Sequence, residues 1–142
     1  MSNHARDGAE AKHNLIYWES GDYAGIGPGA HGRLTLDGVR WATETPLAPE
    51  AWLSAVEAGE TDGFAQEALT DAEHLAEFLL MGLRLQGGID RARLAGLDPD
   101  PGLFDRMGAL EADGLIETTP THIALTPRGR PLLNSVLRAV LA

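Results

Sequence analysis

The stretch DPGLFDRMGALEADGLIETTPTHIALT, residues 100–126, decides the fold of this chain. Asp100 is a helix-capping residue and Pro101 suits the first helical position, so a helix is predicted to begin here and to end at Gly114. The apolar residues that share one face of it are Leu103, Met107 and Leu110. Two short extended pieces around Thr118–His122 follow, which predicts a small β-hairpin directly after the helix.

Helical patterns flank this stretch on both sides. Residues 70–88, TDAEHLAEFLLMGLRLQGG, open with a capping-box pattern and end at a glycine pair, and DRARLAGLD, residues 90–98, predicts a short helix or turn. A last helix is predicted to open at Thr126 and Pro127. Its apolar stripe consists of Leu133, Val136, Leu137, Val140 and Leu141. The order helix, short helix, helix, hairpin, helix predicts a winged-helix-like module.

The N-terminal part is β-rich. In RLTLDGVRWATE, residues 33–44, apolar residues alternate on both sides of Asp37–Gly38, which is a strong hairpin signal. A short strand is predicted at Tyr23–Ile26, and a helical pattern begins at Pro49. The fold class is therefore α+β, with a β-rich N-terminal segment followed by a helical domain that carries a small β-hairpin.

Composition limits the classes of function. The chain has 142 residues, 44% of them hydrophobic, and a formal net charge of -10. Such a surface repels phosphate backbones, and the third predicted helix is itself acidic, so nucleic acid is not an expected partner. The absence of cysteine excludes thiolate metal ligands and cysteine-ligated iron–sulfur clusters from this chain. No apolar run is long enough to span a membrane, and no signal region precedes the polar residues 1–12, so a cytoplasmic chain with a loop-like N-terminal arm is expected.

HNLIYW, residues 13–18, has two interpretations. A histidine and an asparagine that precede two aliphatic and two aromatic residues are typical of a loop that leads into a buried strand. The same residues are also suited to a flat ligand, because a neutral imidazole can coordinate heme iron and aromatic faces can pack on a porphyrin. His13 and Tyr17 share a face in either a strand or a helix.

GIGPGAHG, residues 25–32, also has two interpretations. Closely spaced glycines let the backbone approach a ligand, but they also permit a tight bend into the hairpin. The pattern is not a dinucleotide-binding fingerprint, because Pro28 and a hairpin follow where a helix would be required.

Several motifs together carry a resemblance to a known family. They are HNLIYW, YAGIGPGAHGR, FLLMGLRLQGGID, LEADGLIE and LTPRGRPLLNSVL. In this order they resemble the C-terminal third of the radical-SAM heme chaperones of the HemW type, long described as oxygen-independent coproporphyrinogen III oxidase-like proteins. The resemblance implies that residues 1–45 are the end of a radical-SAM barrel plus a hairpin, and that residues 46–142 are a HemN-type C-terminal domain. It also implies that this chain is a fragment and that the cysteine-bearing barrel is its missing partner.

The resemblance implies ligands as well. The family's HNxxYW signature, assigned to heme binding, makes His13, Asn14, Tyr17 and Trp18 the candidate heme-binding residues, with His13 as the ligand of the iron. Lining residues of the S-adenosylmethionine pocket in the full-length family are implied at Gly27, Gly29, Ala30 and His31. The 4Fe-4S cluster has no ligands in this chain, so no catalytic residue is predicted and the chain is not expected to be an enzyme by itself.

Two functions are compatible with the resemblance. The first is the C-terminal part of a heme chaperone that binds heme and delivers it to acceptor hemoproteins. The second is the C-terminal part of an oxygen-independent coproporphyrinogen III oxidase. Ala30-His31-Gly32 is the chaperone-type pattern, since true oxidases tend to carry Ala-Ile-Ser at this point.

Overall fold

The computed structural model describes residues 11–60, 64–97 and 99–142, which form two compact units. The sheet unit is Gly21–Thr70, and the helical unit comprises the described residues up to Ser20 together with Asp71–Ala142. The predicted division at residues 45 and 46 concerns the relation to a barrel, and it stays a prediction. Most of the predicted N-terminal loop lies outside the described residues, and Lys12 already belongs to a helix.

Helices and strands are interspersed along the described chain. The helices are α1 (Lys12–Trp18), α2 (Pro49–Ala58), α3 (Asp71–Gly82), α4 (Arg91–Gly96), α5 (Gly102–Ala112) and α6 (Leu133–Val140), with a 3-10 turn at Arg130–Leu132. The strands are β1 (His31–Leu36), β2 (Val39–Glu44), β3 (Ala65–Ala68), β4 (Ile89–Asp90), β5 (Ile116–Thr118) and β6 (His122–Leu125). This mixed content confirms the predicted α+β class.

The helical unit holds the hydrophobic core. Leu79, Leu94 and Leu103, from three different helices, are completely buried, and the predicted face of α5 is buried as expected. Strands β4, β6 and β5 pair antiparallel in that spatial order. The sequence α3, β4, α4, α5, β5, β6, α6 confirms the predicted winged-helix-like arrangement.

Polar contacts of Asp100 and Arg106 account for the start of α5. Helix α5 begins at Gly102 with Pro101 as its N-cap residue, one position later than predicted. The carboxylate of Asp100 still accepts a hydrogen bond from the backbone N–H of Gly102 at 2.9 Å. It also pairs with Arg106 at 2.8 Å, and Arg106 donates to the carbonyl of Val140 at 2.8 Å. These bonds fix the first turn of α5 and connect α5 to the end of α6.

The sheet unit is a meander of β1, β2 and β3. Asp37 and Gly38 both have positive φ, at 50° and 80°, which matches the type I′ turn that the Asp-Gly pair predicts. Among the described residues, the buried hydrophobic side chains all belong to the helical unit. The sheet unit is therefore held mainly by its strand pairing and by polar contacts.

Three local predictions are wrong. HNLIYW is a helix rather than the end of a loop and a strand. Tyr23–Ile26 is not a strand, because only Tyr23 pairs, as an isolated bridge to Arg33. The last helix begins at Leu133, because Thr126 instead accepts a hydrogen bond from the N–H of Gly129 and closes a turn.

Candidate functional site

Helix α1 divides the HNLIYW signature between two sides. Successive residues of an α-helix are rotated by about 100°, so positions 12, 13, 16 and 17 form one continuous arc and positions 14, 15 and 18 form the opposite one. Burial follows this division. The exposed residues of the first arc, the outer face of α1, are Lys12, His13, Ile16 and Tyr17. The half-buried residues of the second arc are Asn14, Leu15 and Trp18.

The helical unit holds α1 in place through its inner side and its C-terminal end. Helix α1 packs against α3, where a Cβ at Gly82 would lie 3.8 Å from the carbonyl oxygen of Trp18. Arg93 of α4 donates a hydrogen bond to the carbonyl oxygen of Glu19, the C-cap residue, at 2.7 Å. The guanidinium of Arg93 also lies 5.3 Å from the ring centre of Phe78, within the range of a cation–π contact. These contacts orient the outer face of α1 toward solvent.

His13 is accessible on this outer face. Its side chain is exposed, and no hydrogen bond to either ring nitrogen occurs within the described ranges. Ile16 and Tyr17 beside it are 44% and 37% exposed, so an apolar surface adjoins the imidazole. In the described part of the chain, no group of three His, Cys, Asp or Glu residues could hold a metal ion. The role of His13 as a ligand of heme iron stays a prediction.

The structure does not bring all four signature residues to one surface. Asn14 and Trp18 lie on the inner side, with Leu15, where they belong to the contact with the helical unit. We therefore assign them to the positioning of α1, and His13 and Tyr17 to the exposed surface. No described hydrogen bond joins the amide of Asn14 to the ring of His13.

The glycine loop, residues 25–32, is tied to the connector that follows β2. The hydroxyl of Thr45 accepts from the N–H of Ala30 at 2.9 Å and donates to the carbonyl of Gly27. Gly27 has φ of 103°, which favours glycine, and a Cβ at Gly32 would collide with Thr43 and with the backbone of the loop. Both glycines thus have a local structural reason, and the place of Gly27, Gly29, Ala30 and His31 at a cofactor pocket stays a prediction.

A shallow cavity of about 170 Å³ lies on the sheet unit. The residues that line it are His31, Arg33, Ala42, Thr43, Glu44, Ala65 and Glu67. His31 is the one predicted pocket residue among them, whereas Gly27, Gly29 and Ala30 do not line this cavity. Arg33 lines the cavity together with Glu44 and Glu67, which makes the lining mixed in charge.

Sequence reasoning missed a polar network in the sheet unit. Asp22 accepts hydrogen bonds from the backbone N–H and the hydroxyl of Thr35, both at 2.8 Å, and pairs with buried Arg40 at 3.3 Å. The hydrogen bonds from Thr35, the backbone one foremost, lower the pKa of Asp22 below its ordinary value, and the charge of Arg40 acts in the same direction. Arg40 within the predicted hairpin was a signal for such a network, because an arginine that becomes buried in a sheet requires a partner for its charge.

Comparisons with known proteins identify the relatives of this chain. The family model of the HemN C-terminal domain matches residues 69–132. "Radical S-adenosyl methionine domain-containing protein 1, mitochondrial" of Bos taurus is 34% identical and is matched over 100% of this chain and 34% of its own length. "Heme chaperone HemW" of Mycobacterium tuberculosis (strain H37Rv) is 36% identical over 99% of this chain and 34% of its length, and that of Bacillus subtilis is 36% identical over 99% and 37%.

One solved structure shares the fold. The coproporphyrinogen III oxidase HemN of Escherichia coli superposes with a TM-score of 0.55 at 17% identity, over 84% of this chain and 28% of that one. At this identity the likeness concerns the fold alone.

The order of the helices and strands defines an α+β protein whose helical unit is winged-helix-like. More particularly, the model of the HemN C-terminal domain matches residues 69–132, and almost the whole chain is similar to proteins named heme chaperone HemW. The chain spans about a third of the length of the curated relatives it matches. None of the described helices has the length and apolar character needed to cross a membrane.

Proposed function

We propose that this chain is the C-terminal part of a radical-SAM heme chaperone, and that α1 presents His13 to the iron of heme. The observation that carries the proposal is the outward orientation of His13 and Tyr17 on a helix fixed to the helical unit. Relatives that are named heme chaperones match 99% of the chain at 36% identity. The heme is cargo that the chain binds and passes to an acceptor hemoprotein.

The geometry of α1 suits reversible binding. The helix has seven residues and is therefore about 10 Å long, so its outer face would contact only part of one side of a porphyrin. The imidazole of His13 would supply a nitrogen ligand, while Ile16 and Tyr17 would offer apolar surface to the ring. Such a limited contact is compatible with release of the porphyrin to an acceptor.

The radical-SAM cofactors belong to the rest of the longer protein in this proposal. The chain has no cysteine, so it supplies no ligand to a 4Fe-4S cluster and generates no radical by itself. S-adenosylmethionine would contact the glycine loop at Gly27, Gly29, Ala30 and His31 only when a barrel adjoins it. The cytoplasmic location stays a prediction, since one relative is named as mitochondrial.

The oxidase alternative has weaker support. The likeness to coproporphyrinogen III oxidase is one of fold at 17% identity, whereas the heme chaperones match at 36%. Ala30-His31-Gly32 also follows the chaperone-type pattern.

Titration of hemin into the purified chain tests the proposal. We expect a shift of the Soret band with wild-type chain that His13→Ala removes, because the imidazole is the iron ligand. His122→Ala is the matched control, since it removes another exposed histidine of the helical unit and should keep the shift. Circular dichroism should show unchanged helix content in both variants, because neither side chain is buried. The absence of a Soret shift with wild-type chain, or its persistence in His13→Ala, would contradict the proposal.

A further inference from the structure

Lys12 is the only lysine in the sequence and the only cation of α1. It is exposed, and it lies on the outer face of α1 next to His13, at the end of the helix opposite Glu19. The rotation of about 100° per residue puts Lys12 at one margin of the outer arc and Tyr17 at the other. A cation, an imidazole, an aliphatic side chain and a phenol thus lie side by side on one surface.

Most other cations of the described chain are already engaged. Several arginines donate hydrogen bonds to carbonyl or carboxylate oxygens: Arg33, Arg40, Arg91, Arg93 and Arg106. Lys12 by contrast has no described hydrogen bond or ion pair. Its flexible four-carbon stem can move the ammonium group to a ligand beside His13.

The charge of heme makes this lysine significant. Heme carries two carboxylate side chains at one edge of an otherwise apolar ring, and the net charge of -10 on the chain repels such an anion. A local cation at one end of the binding surface would offset this repulsion and would select one orientation of the ring. The carboxylate of Glu19 at the other end would disfavour the reverse orientation.

We propose that Lys12 binds a carboxylate of heme and thereby orients the porphyrin on α1, with its carboxylate edge toward the N-terminal end of the helix. This inference rests on the proposed function, since it concerns the same surface. It adds recognition of the carboxylates of the porphyrin. None of the four signature residues is a lysine or an arginine that could pair with them.

The test compares hemin with hemin dimethyl ester, whose carboxylates are esterified, by Soret titration in the same detergent-containing buffer. Lys12→Gln should weaken hemin binding by about threefold at low salt, because an exposed ion pair contributes modestly, and should leave ester binding unchanged. Lys12→Arg should restore hemin affinity. Arg138→Gln is the matched control, because Arg138 is an exposed cation of α6.

The possible outcomes separate the two proposals. Unchanged hemin affinity in Lys12→Gln, or equal weakening for hemin and its ester, would overturn the role of Lys12 while the role of His13 stands. Failure of wild-type chain to bind either compound would overturn the proposed function, and the role of Lys12 with it. An equal loss in Arg138→Gln would show a general charge effect and would also overturn the role of Lys12.

Discussion

At the scale of single residues, Asp22 joins the segment before the glycine loop to strands β1 and β2. Its carboxylate accepts two hydrogen bonds from Thr35 and pairs with Arg40, whose side chain is 4% exposed. The network counts for more than an exposed ion pair, because the loss of Asp22 would remove one partner of a buried arginine. No periodic pattern predicts these contacts, since Asp22 lies 13 and 18 positions from its partners.

The lowered pKa of Asp22 predicts a dependence of stability on pH. A group whose pKa is lower in the folded chain contributes stability above its unfolded pKa, near 3.8, and loses that contribution as the pH falls through the folded value. Asp22→Asn should therefore lower the stability of the sheet unit at pH 7, and the difference from wild type should narrow toward about pH 3. Hydrogen exchange of the β1 amides, compared between Asp22→Asn and wild type at several pH values, measures this difference in stability.

Asp37→Asn is the control for this prediction. Asp37 is exposed in the turn of the same hairpin, and asparagine accepts its positive φ. A difference between Asp22→Asn and wild type that is constant with pH would contradict the assigned role of Asp22.

At the scale of elements, the surroundings of α1 decide its conformation. Seven residues are too few for a stable isolated helix, so α1 depends on its contact with α3 and α4. The short run HNLIYW fits a strand or a helix by pattern alone, and the strand interpretation was wrong for that reason. By contrast, the hairpin of β1 and β2 and the buried face of α5 were predictable, because turn chemistry and helical spacing are local properties.

Arg93 provides an element-scale prediction. Arg93→Ala removes both the hydrogen bond to Glu19 and the cation–π contact with Phe78, so the amides of α1 should exchange faster while those of α5 stay protected. Hydrogen exchange followed by mass spectrometry measures this change.

Arg91→Ala is the matched control for Arg93, since Arg91 is an arginine of the same helix that donates to the carbonyl of Thr119. It should leave the exchange of α1 unchanged. If both variants increased the amide exchange of α1 equally, the assigned role of Arg93 would be wrong.

At the scale of the whole molecule, the two units differ in how they are stabilised. In the described chain both units expose large apolar residues, but the buried hydrophobic side chains all belong to the helical unit, so that nothing balances the exposed apolar residues of the sheet unit. Those residues are Ile26, Leu36, Val39, Leu47, Leu53 and Val56. Because hydrophobic burial is the main favourable contribution to folding, the sheet unit has the lower expected stability.

This contrast predicts two levels of protection against hydrogen exchange. Amides of β1 and β2 should exchange faster than those of α3 and α5, because local opening of the sheet unit exposes little additional apolar surface. Exchange measured on peptides from residues 31–44 and 71–83 of the same sample tests this, after correction for intrinsic rates. Equal protection of the two sets would contradict it.

The sequence by itself determined the α+β class, the winged-helix-like order, the Asp37–Gly38 turn and the absence of cysteine ligands. These features depend on residue type and on spacings of two to four positions, which short segments encode. Only the tertiary structure decided that α1 is a helix with His13 outside and Trp18 inside, and that Asp22 meets Arg40. The physical reason is that such contacts join residues far apart in the sequence, 74 positions in the case of Arg93 and Glu19, so no local pattern specifies them.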